Sequence, residues 1–179
     1  MTVFVALLRG INVGGHNVLP MRELREILLA LGCKNVATYI QSGNVVFRSG
    51  ASKKTLPGRI ATAVERSFGF RPRVLLLSAS ELRTVLEANP FAAAVSTPQA
   101  LHVWFFAAPA SNPDRATLDA LCSGTERYEL AANVLYLHAP DGIGRSRLAS
   151  RVEQCVGVET TARNWRTLGK VAALAESIS

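Results

Sequence analysis

The residues with the clearest potential for chemistry lie at positions 9–17, where the sequence reads RGINVGGHN directly after an apolar run. Glycines leave backbone N–H groups accessible, and consecutive N–H groups can form a concavity that binds an anion. Arg9, beside such a concavity, would add a bidentate donor for phosphate. A tight connection that needs positive φ explains Gly14 and Gly15 equally well, so both interpretations of this glycine loop stay open.

The glycine loop does not match the common nucleotide-binding motifs. Gly10 and Gly15 satisfy the first half of the P-loop spacing, but His16 and Asn17 stand where that motif needs lysine and then serine or threonine. The G-x-G-x-x-G pattern of dinucleotide sites is absent. An anion bound here would therefore be held without a standard nucleotide motif.

The elements that must position this loop follow the order βαββαβ, which is typical of the ferredoxin-like split βαβ unit. They are a strand over residues 2–8, a helix over 20–31, the strands NVATYI and NVVFRS joined across Gln41, Ser42 and Gly43, a helix marked by Leu56, Ile60, Val64 and Phe68, the strand RVLLLS, and a helix opened by a capping box of Ser78 and Glu81.

A similar pattern recurs after a small-residue stretch that follows Asn89 and Pro90. It comprises the strand LHVWFF, a helix with Asn112 as cap and Pro113 at its first position, the strands RYELA and VLYLHA, a helix over 144–156, an extended piece near GVE, and a terminal helix over 162–178 capped by Thr161. We predict an α+β fold of two ferredoxin-like βαββαβ-type units with an added C-terminal helix. The predicted domains are residues 1–90, which include the glycine loop, and residues 91–179.

Chain direction predicts that the glycine loop and the turn at residues 41–44 share one edge of the first sheet. The first strand runs toward that edge, the helix returns from it, and the second strand approaches it again. The polar residues gathered there are Arg9, Asn12, His16, Gln41, Ser42, Asn44, Arg71 and Arg73, together with the backbone of Gly14 and Gly15. A convergent cationic rim of this kind is typical of a binding site. Each amide side chain could instead satisfy turn backbone.

The charge distribution also favours an anionic partner of the first half. The formal net charge is +7, and residues 1–90 hold 12 Lys and Arg against 5 Asp and Glu, whereas residues 91–179 hold 8 against 8. Such asymmetry indicates a phosphate-bearing ligand or nucleic acid, although basic proteins can simply be soluble. RNA binding on the sheet surface is disfavoured, because SGNVVFRS has only Phe47 and strands 1 and 3 are apolar on both faces.

The second half offers weaker candidates. Arg163, Asn164 and Trp165 could contact a phosphate or a base, but Arg163 also belongs to a helical stripe that a solvated basic face explains. PDGIGRSR at 140–147 is either an anion site or a capped turn. His16 and Asp141 are the candidate proton carriers, and no catalytic constellation surrounds either.

Several classes of protein are excluded by what the sequence lacks. No apolar run reaches the length of about 20 residues that a spanning helix needs, and the N-terminal residues do not read as a signal peptide. We expect a cytoplasmic protein without a membrane partner. The three cysteines form no C-x-x-C pair, so neither a disulfide framework nor a zinc site is indicated. No cofactor is predicted.

Four blocks carry a resemblance to a known family. VALLRGINVGGHNVLPMRELREILLALG, VATYIQSGNVVF, LYLHAPDGIGRSRL and TARNWRTLGKV resemble, in order and spacing, the signature blocks of a mostly bacterial domain-of-unknown-function family, DUF1697. His16 departs from the family pattern, in which lysine is common at that position. The resemblance implies an α+β fold of ferredoxin-like halves and assigns no reaction.

The leading hypothesis from the sequence is a binding protein for a phosphate-bearing ligand, nucleic acid or nucleotide, at the glycine loop and the 41–44 turn. The first alternative is an enzyme acting on a small anionic metabolite in the same pocket. The second is a scaffold or homo-oligomerisation module without a small ligand.

Overall fold

The structure is a computed structural model that describes residues 1–179. Its elements are β1 (Thr2–Arg9), α1 (Met21–Ala30), β2 (Lys34–Tyr39), β3 (Asn44–Ser49), α2 (Leu56–Phe68), β4 (Arg73–Ser78), α3 (Ala79–Glu87), β5 (Leu101–Phe106), α4 (Arg115–Leu121), β6 (Arg127–Leu130), β7 (Val134–His138), α5 (Val152–Val156), β8 (Thr160–Asn164) and α6 (Trp165–Ser177). None of the helices has both the length and the apolar character that crossing a membrane requires.

The chain divides into two compact units. The first comprises Met1–Thr84 together with Gly169–Ser179, and the second comprises Val85–Leu168. The assignment of distinct roles to residues 1–90 and 91–179 stays a prediction.

The first unit contains a four-stranded antiparallel sheet in the order β2-β3-β1-β4. β1 and β2 each pair antiparallel with β3, so they run in the same direction, as the split βαβ pattern predicts. β4 pairs antiparallel with the other side of β1. The second unit repeats this order as β6-β7-β5-β8. The predicted α+β fold of two βαββαβ-type units with a C-terminal helix is confirmed.

The first sheet is buried on both faces along its central strands. Phe4 and Leu8 of β1 pack in one core cluster with Leu24 of α1 and Ile60 of α2, as the apolar stripes of these helices predict. The other face of the sheet is buried as well, at Val5 and Leu7 of β1 and at Val46 of β3. This two-sided burial agrees with the apolar pattern of the central strands and leaves those strands no open surface for RNA stacking.

Two helix predictions in the second half are wrong in detail. α4 is capped by Asp114, whose Oδ1 accepts a hydrogen bond of 2.9 Å from the backbone N–H of Thr117, so Asn112 is not the cap. The helix predicted over 144–156 is a 3-10 turn at Ile143–Arg145 followed by a separate α5. Local turn chemistry around Ser146, whose Oγ accepts from the N–H of Ala149, interrupts the helical period there.

The prediction for the terminal helix is wrong at its N-terminal end. Residues 160–164 form β8, which pairs antiparallel with β5, and α6 begins at Trp165. The cap is Asn164, whose Oδ1 accepts a hydrogen bond of 2.9 Å from the N–H of Thr167, and not Thr161. Pairing with β5 decides the strand, which the local sequence pattern does not reveal.

The capping box predicted for α3 is present. The N–H of Glu81 donates to Ser78 Oγ at 3.1 Å, and the N–H of Ser78 donates to Glu81 Oε2 at 2.7 Å. Lys53 forms an ion pair with the same carboxylate. Burial alone would raise the pKa of Glu81, but hydrogen bonds from Lys53 and Ser78 outweigh it and lower that pKa below the usual carboxyl value.

Glu81 should therefore make the stability of the protein depend on pH. A carboxyl with a lowered pKa stabilises the fold above its ordinary pKa, and this contribution is lost as the pH falls through the lowered value. We expect the free energy of unfolding of wild type to fall more on acidification than that of Glu81→Gln, by less than about 1 kcal/mol because the ion pair is half exposed. Thermal melts across this acidic range measure the difference, and superimposable profiles would contradict the assignment.

Candidate functional site

The glycine loop is a small β-hairpin. The N–H of His16 donates to the carbonyl of Val13 at 3.0 Å, and the two residues between them, Gly14 and Gly15, have φ of 57° and 78°. Positive φ at both central residues defines a type I′ turn, which strongly favours glycine. The N–H of Asn12 donates to the carbonyl of Asn17 at 3.1 Å and adds a second rung. The tight-turn interpretation of the two glycines therefore describes their geometry.

Asn12 joins the glycine loop to the 41–44 turn. Its Nδ2 donates to the carbonyl of Leu19 at 2.9 Å and to the carbonyl of Gln41 at 2.8 Å, while its Oδ1 accepts from the N–H of Leu19 at 2.8 Å. Both amide protons are thus engaged by protein carbonyls. The structure brings the two predicted segments together, and it gives Asn12 the role of a positioning residue.

The 41–44 turn is anchored to the end of the sheet. The N–H of Leu8 donates to the carbonyl of Gly43 at 2.8 Å, which extends the pairing of β1 with β3 into the turn. The buried side chain of Asn44 donates from Nδ2 to Ser42 Oγ at 2.8 Å and to the carbonyl of Tyr39 at 3.1 Å. The hydroxyl of Ser42 and the backbone of Gln41 are consequently held in fixed positions at the surface.

Two arginines lie directly opposite each other at this edge. Arg9, the last residue of β1, pairs with Arg73, the first residue of β4, and both are exposed. Because strand residues alternate between faces, they lie on the sheet face opposite α1 and α2, the face that also carries Leu7 and Asn44.

Arg71 does not join this arginine pair. Its Nη1 donates to Glu65 Oε2 at 2.8 Å and to Thr62 Oγ1 at 3.0 Å, so the guanidinium is held against α2. The candidate site of the first unit therefore consists of Arg9 and Arg73, the glycine loop with Gly14 and Gly15, and the turn with Gln41, Ser42 and Asn44.

The predicted site residues near 163 lie in the second unit, at the junction of β8 and α6. Arg163 is half-buried and pairs with Val103 of β5, and its Nη1 donates to the carbonyl of Ala162 at 2.8 Å. Burial lowers the pKa of Arg163 to about 10, which leaves it charged at neutral pH. Asn164 caps α6, and Trp165 is the first residue of that helix. The predicted helical stripe containing Arg163 does not exist, and ligand binding by these three residues stays a prediction.

The two candidate proton carriers lie on turns. His16 is exposed at the hairpin, and Asp141 Oδ2 accepts a hydrogen bond of 2.8 Å from Thr125 Oγ1. Asp141 therefore ties two segments of the second unit together.

Three features of the site were missed by sequence reasoning. Asn17 secures the base of the hairpin, since its Nδ2 donates to the carbonyl of Gly10 at 2.7 Å. Gly43 packs directly on Leu8 and Ile11. The register that opposes Arg9 to Arg73 was missed as well, although both residues flank apolar strand patterns. The sequence signal for the role of Asn17 was that asparagine, which tolerates positive φ, stands at both ends of the glycine turn.

Comparison with known proteins places the chain among uncharacterised bacterial proteins. The family described as "Protein of unknown function (DUF1697)" matches residues 1–136. Among solved structures, the chain is similar to the conserved bacterial protein SP0830 from Streptococcus pneumoniae, with 28% sequence identity and a TM-score of 0.74, covering 97% of this chain and 98% of that one. No curated protein matches the chain. From the family match, which extends over the glycine loop, the 41–44 turn and β5, we conclude that the chain belongs to the DUF1697 family of proteins of unknown function.

Proposed function

We propose that the protein binds a phosphate-bearing ligand, nucleic acid or nucleotide, at the edge formed by the glycine loop and the 41–44 turn of the first unit. The observation that carries this proposal is the direct opposition of Arg9 and Arg73 beside those two segments. Two guanidinium groups at one edge can each donate a pair of parallel N–H hydrogen bonds to phosphate oxygens.

The charge of the first unit supports the same conclusion. It holds 13 Lys and Arg against 5 Asp and Glu, a net of +8, whereas the second unit holds 7 against 8, a net of −1. The positive charge of the protein is thus carried by the unit that contains the arginine pair. A field of this sign raises the local concentration of anions and speeds their association.

The rigidity of the two loops supports a preformed site. Asn12 ties the hairpin to the turn through three hydrogen bonds, and Asn44 fixes the hydroxyl of Ser42. Polar groups held in place before the ligand arrives cost less conformational entropy on binding than mobile ones. Ser42 and the exposed backbone of the hairpin would complement the arginines as hydrogen-bonding groups.

Binding measurements on Arg9→Ala test this proposal. Pyrophosphate and ATP are titrated by calorimetry, and a labelled DNA duplex by fluorescence anisotropy at several salt concentrations. We expect Arg9→Ala to weaken binding at least about tenfold, since a hydrogen bond between charged groups contributes about 1.5–3 kcal/mol. For the duplex, the log-log dependence of affinity on salt should decrease by about 0.9 for each phosphate that the variant no longer neutralises.

Arg59→Ala is the matched control. Arg59 is an exposed arginine in the first turns of α2, and its charge acts on Cys33, which precedes β2 at the other end of the sheet. This variant removes the same charge from the same unit and should bind like wild type. Equal losses in both variants would indicate a general charge effect, and the absence of binding to all three probes would overturn the proposed function.

A further inference from the structure

Three β-branched residues near Asn12 are exposed to solvent, and we call them the apolar rim: Val13, Val18 and Ile40. Their exposed fractions are 69%, 58% and 53%, and they make up half of the six exposed large hydrophobic residues of the chain. Val13 directly follows Asn12, Val18 precedes Leu19, and Ile40 precedes Gln41, so each adjoins Asn12 or one of its hydrogen-bonding partners. Exposed apolar side chains concentrated in this way indicate a contact surface.

The backbone of Ile40 gives an independent reason to regard the rim as functional. Its φ is 50°, in the left-handed region, which a β-branched residue rarely adopts. This conformation costs about 1–2 kcal/mol, and asparagine or glycine would adopt it at a lower cost. Strained residues of this type concentrate at ligand-binding sites. The turn thus exposes an apolar side chain at position 40, although asparagine or glycine would adopt the same backbone conformation at a lower cost.

The geometry points to single-stranded nucleic acid as the ligand of this edge, with its phosphates on Arg9 and Arg73 and its bases against the apolar rim. This inference rests on the proposed function and specifies its ligand. A single strand offers three groups together: charged phosphates, the flat apolar faces of unstacked bases, and the hydrogen-bonding edges of those bases. The edge carries a complement to each of them.

The polar residues between the rim positions favour nucleic acid over a lipid surface. His16 and Asn17 precede Val18, and Gln41 follows Ile40, and all three polar side chains are exposed. Insertion of the rim into the hydrocarbon of a bilayer would remove the His16 imidazole and the Gln41 carboxamide from water, which is costly. Base edges carry both donors and acceptors that pair with such groups.

The same arrangement favours a single strand over a duplex or a free nucleotide. In a duplex the base faces are stacked on each other, so the rim could reach them only by unstacking a base step. A mononucleotide offers one base to three rim residues, whereas a strand of several nucleotides offers a base to each of them and a phosphate for each base.

The test compares wild type with the triple variant Val13→Thr, Val18→Thr, Ile40→Asn. Threonine has nearly the shape of valine, and asparagine tolerates positive φ, so the changes remove apolar surface without disturbing the fold. The probes are a labelled single-stranded DNA of about 16 nucleotides, its duplex, ATP and phosphatidylserine vesicles. We expect wild type to prefer the single strand, and the triple variant to lose about tenfold or more in its affinity for it, because three aliphatic side chains no longer bury apolar surface against the bases. The salt dependence should be unchanged, because the arginines still neutralise the same phosphates.

Val95→Thr, at an exposed valine of the second unit, is the matched control and should bind like wild type. If the duplex or ATP binds as tightly as the single strand, or if the triple variant binds it like wild type, the inference is wrong even though Arg9→Ala still weakens binding. If the rim is needed for binding to vesicles and no DNA binds, the ligand of this edge is a lipid surface and not a nucleic acid. Failure of every phosphate-bearing probe would reject the proposed function as well.

Discussion

Replacing Gly43 by alanine is expected to lower the free energy of unfolding by about 2–4 kcal/mol. A Cβ at this position would lie 2.7 Å from Leu8 Cβ and 2.8 Å from Ile11 Cδ1. The Ile11 methyl group can rotate away, but Leu8 Cβ is fixed to the backbone of β1, so the turn itself must move. The φ of Gly43 is 77°, which adds the cost of a left-handed conformation for alanine. Urea denaturation followed by circular dichroism measures the change.

Gly32→Ala separates the two causes of this loss. Gly32 has a φ of 84°, but a Cβ there would meet nothing within 4 Å. Only the conformational cost applies, so we expect a loss of about 1–2 kcal/mol. If Gly43→Ala proves no more destabilising than Gly32→Ala, the close packing of the turn on β1 is not a determinant of stability. A larger loss at Gly43 would show that this packing holds the edge together.

Changing Asn12 to aspartate is expected to detach the glycine loop from the 41–44 turn and to cost about 2–3 kcal/mol. Aspartate has the same shape and also tolerates the φ of 53° found at Asn12. It keeps the acceptor for the N–H of Leu19 but replaces the Nδ2 donor by an oxygen that faces the carbonyls of Leu19 and Gln41. The destabilisation therefore reports on the two donated hydrogen bonds. Hydrogen exchange of the amides at residues 10–19 should accelerate.

The pH dependence of this variant provides a second readout. Once protonated, the new carboxyl can donate one hydrogen bond, so the destabilisation should decrease as the pH falls through its pKa, ordinarily about 3.9. Asn112→Asp, at an exposed position of the second unit, introduces the same charge and should leave stability and exchange near residues 10–19 unchanged. Exchange rates of the Asn12 variant that match wild type would show that the loop is held by other interactions.

Much of the first unit could be predicted because its signals are local and agree with one another. The apolar period of α1 and α2, the capping box of Ser78 and Glu81, and the alternating strands each specify an element independently of distant residues. The second unit was predicted less well. Residues 160–164 have a composition compatible with a helix start, and only their pairing with β5 makes them a strand. Such pairing is a tertiary effect that outweighs local preference.

The candidate site divides in the same way. Gln41 and Asn12 could be assigned to one edge from the sequence, because the order βαββαβ fixes the direction of each strand. What each polar group does there could not be assigned, since an asparagine in a loop has several carbonyls within reach of its side chain. In the structure, Asn12 Nδ2 donates both of its hydrogen bonds to backbone carbonyls, so Asn12 is a positioning residue.

By itself, the sequence determined the fold class, the order and direction of the strands of the first unit, and the edge at which the glycine loop and the 41–44 turn meet. Periodicity and connectivity suffice for these features, because a chain of this order has few ways to pair its strands. Only the tertiary structure decided that Arg9 opposes Arg73, that Gly43 packs on Leu8, and that Ile40 is held in a strained conformation. The first two depend on strand register, and a slip of one residue would move every side chain to the other face.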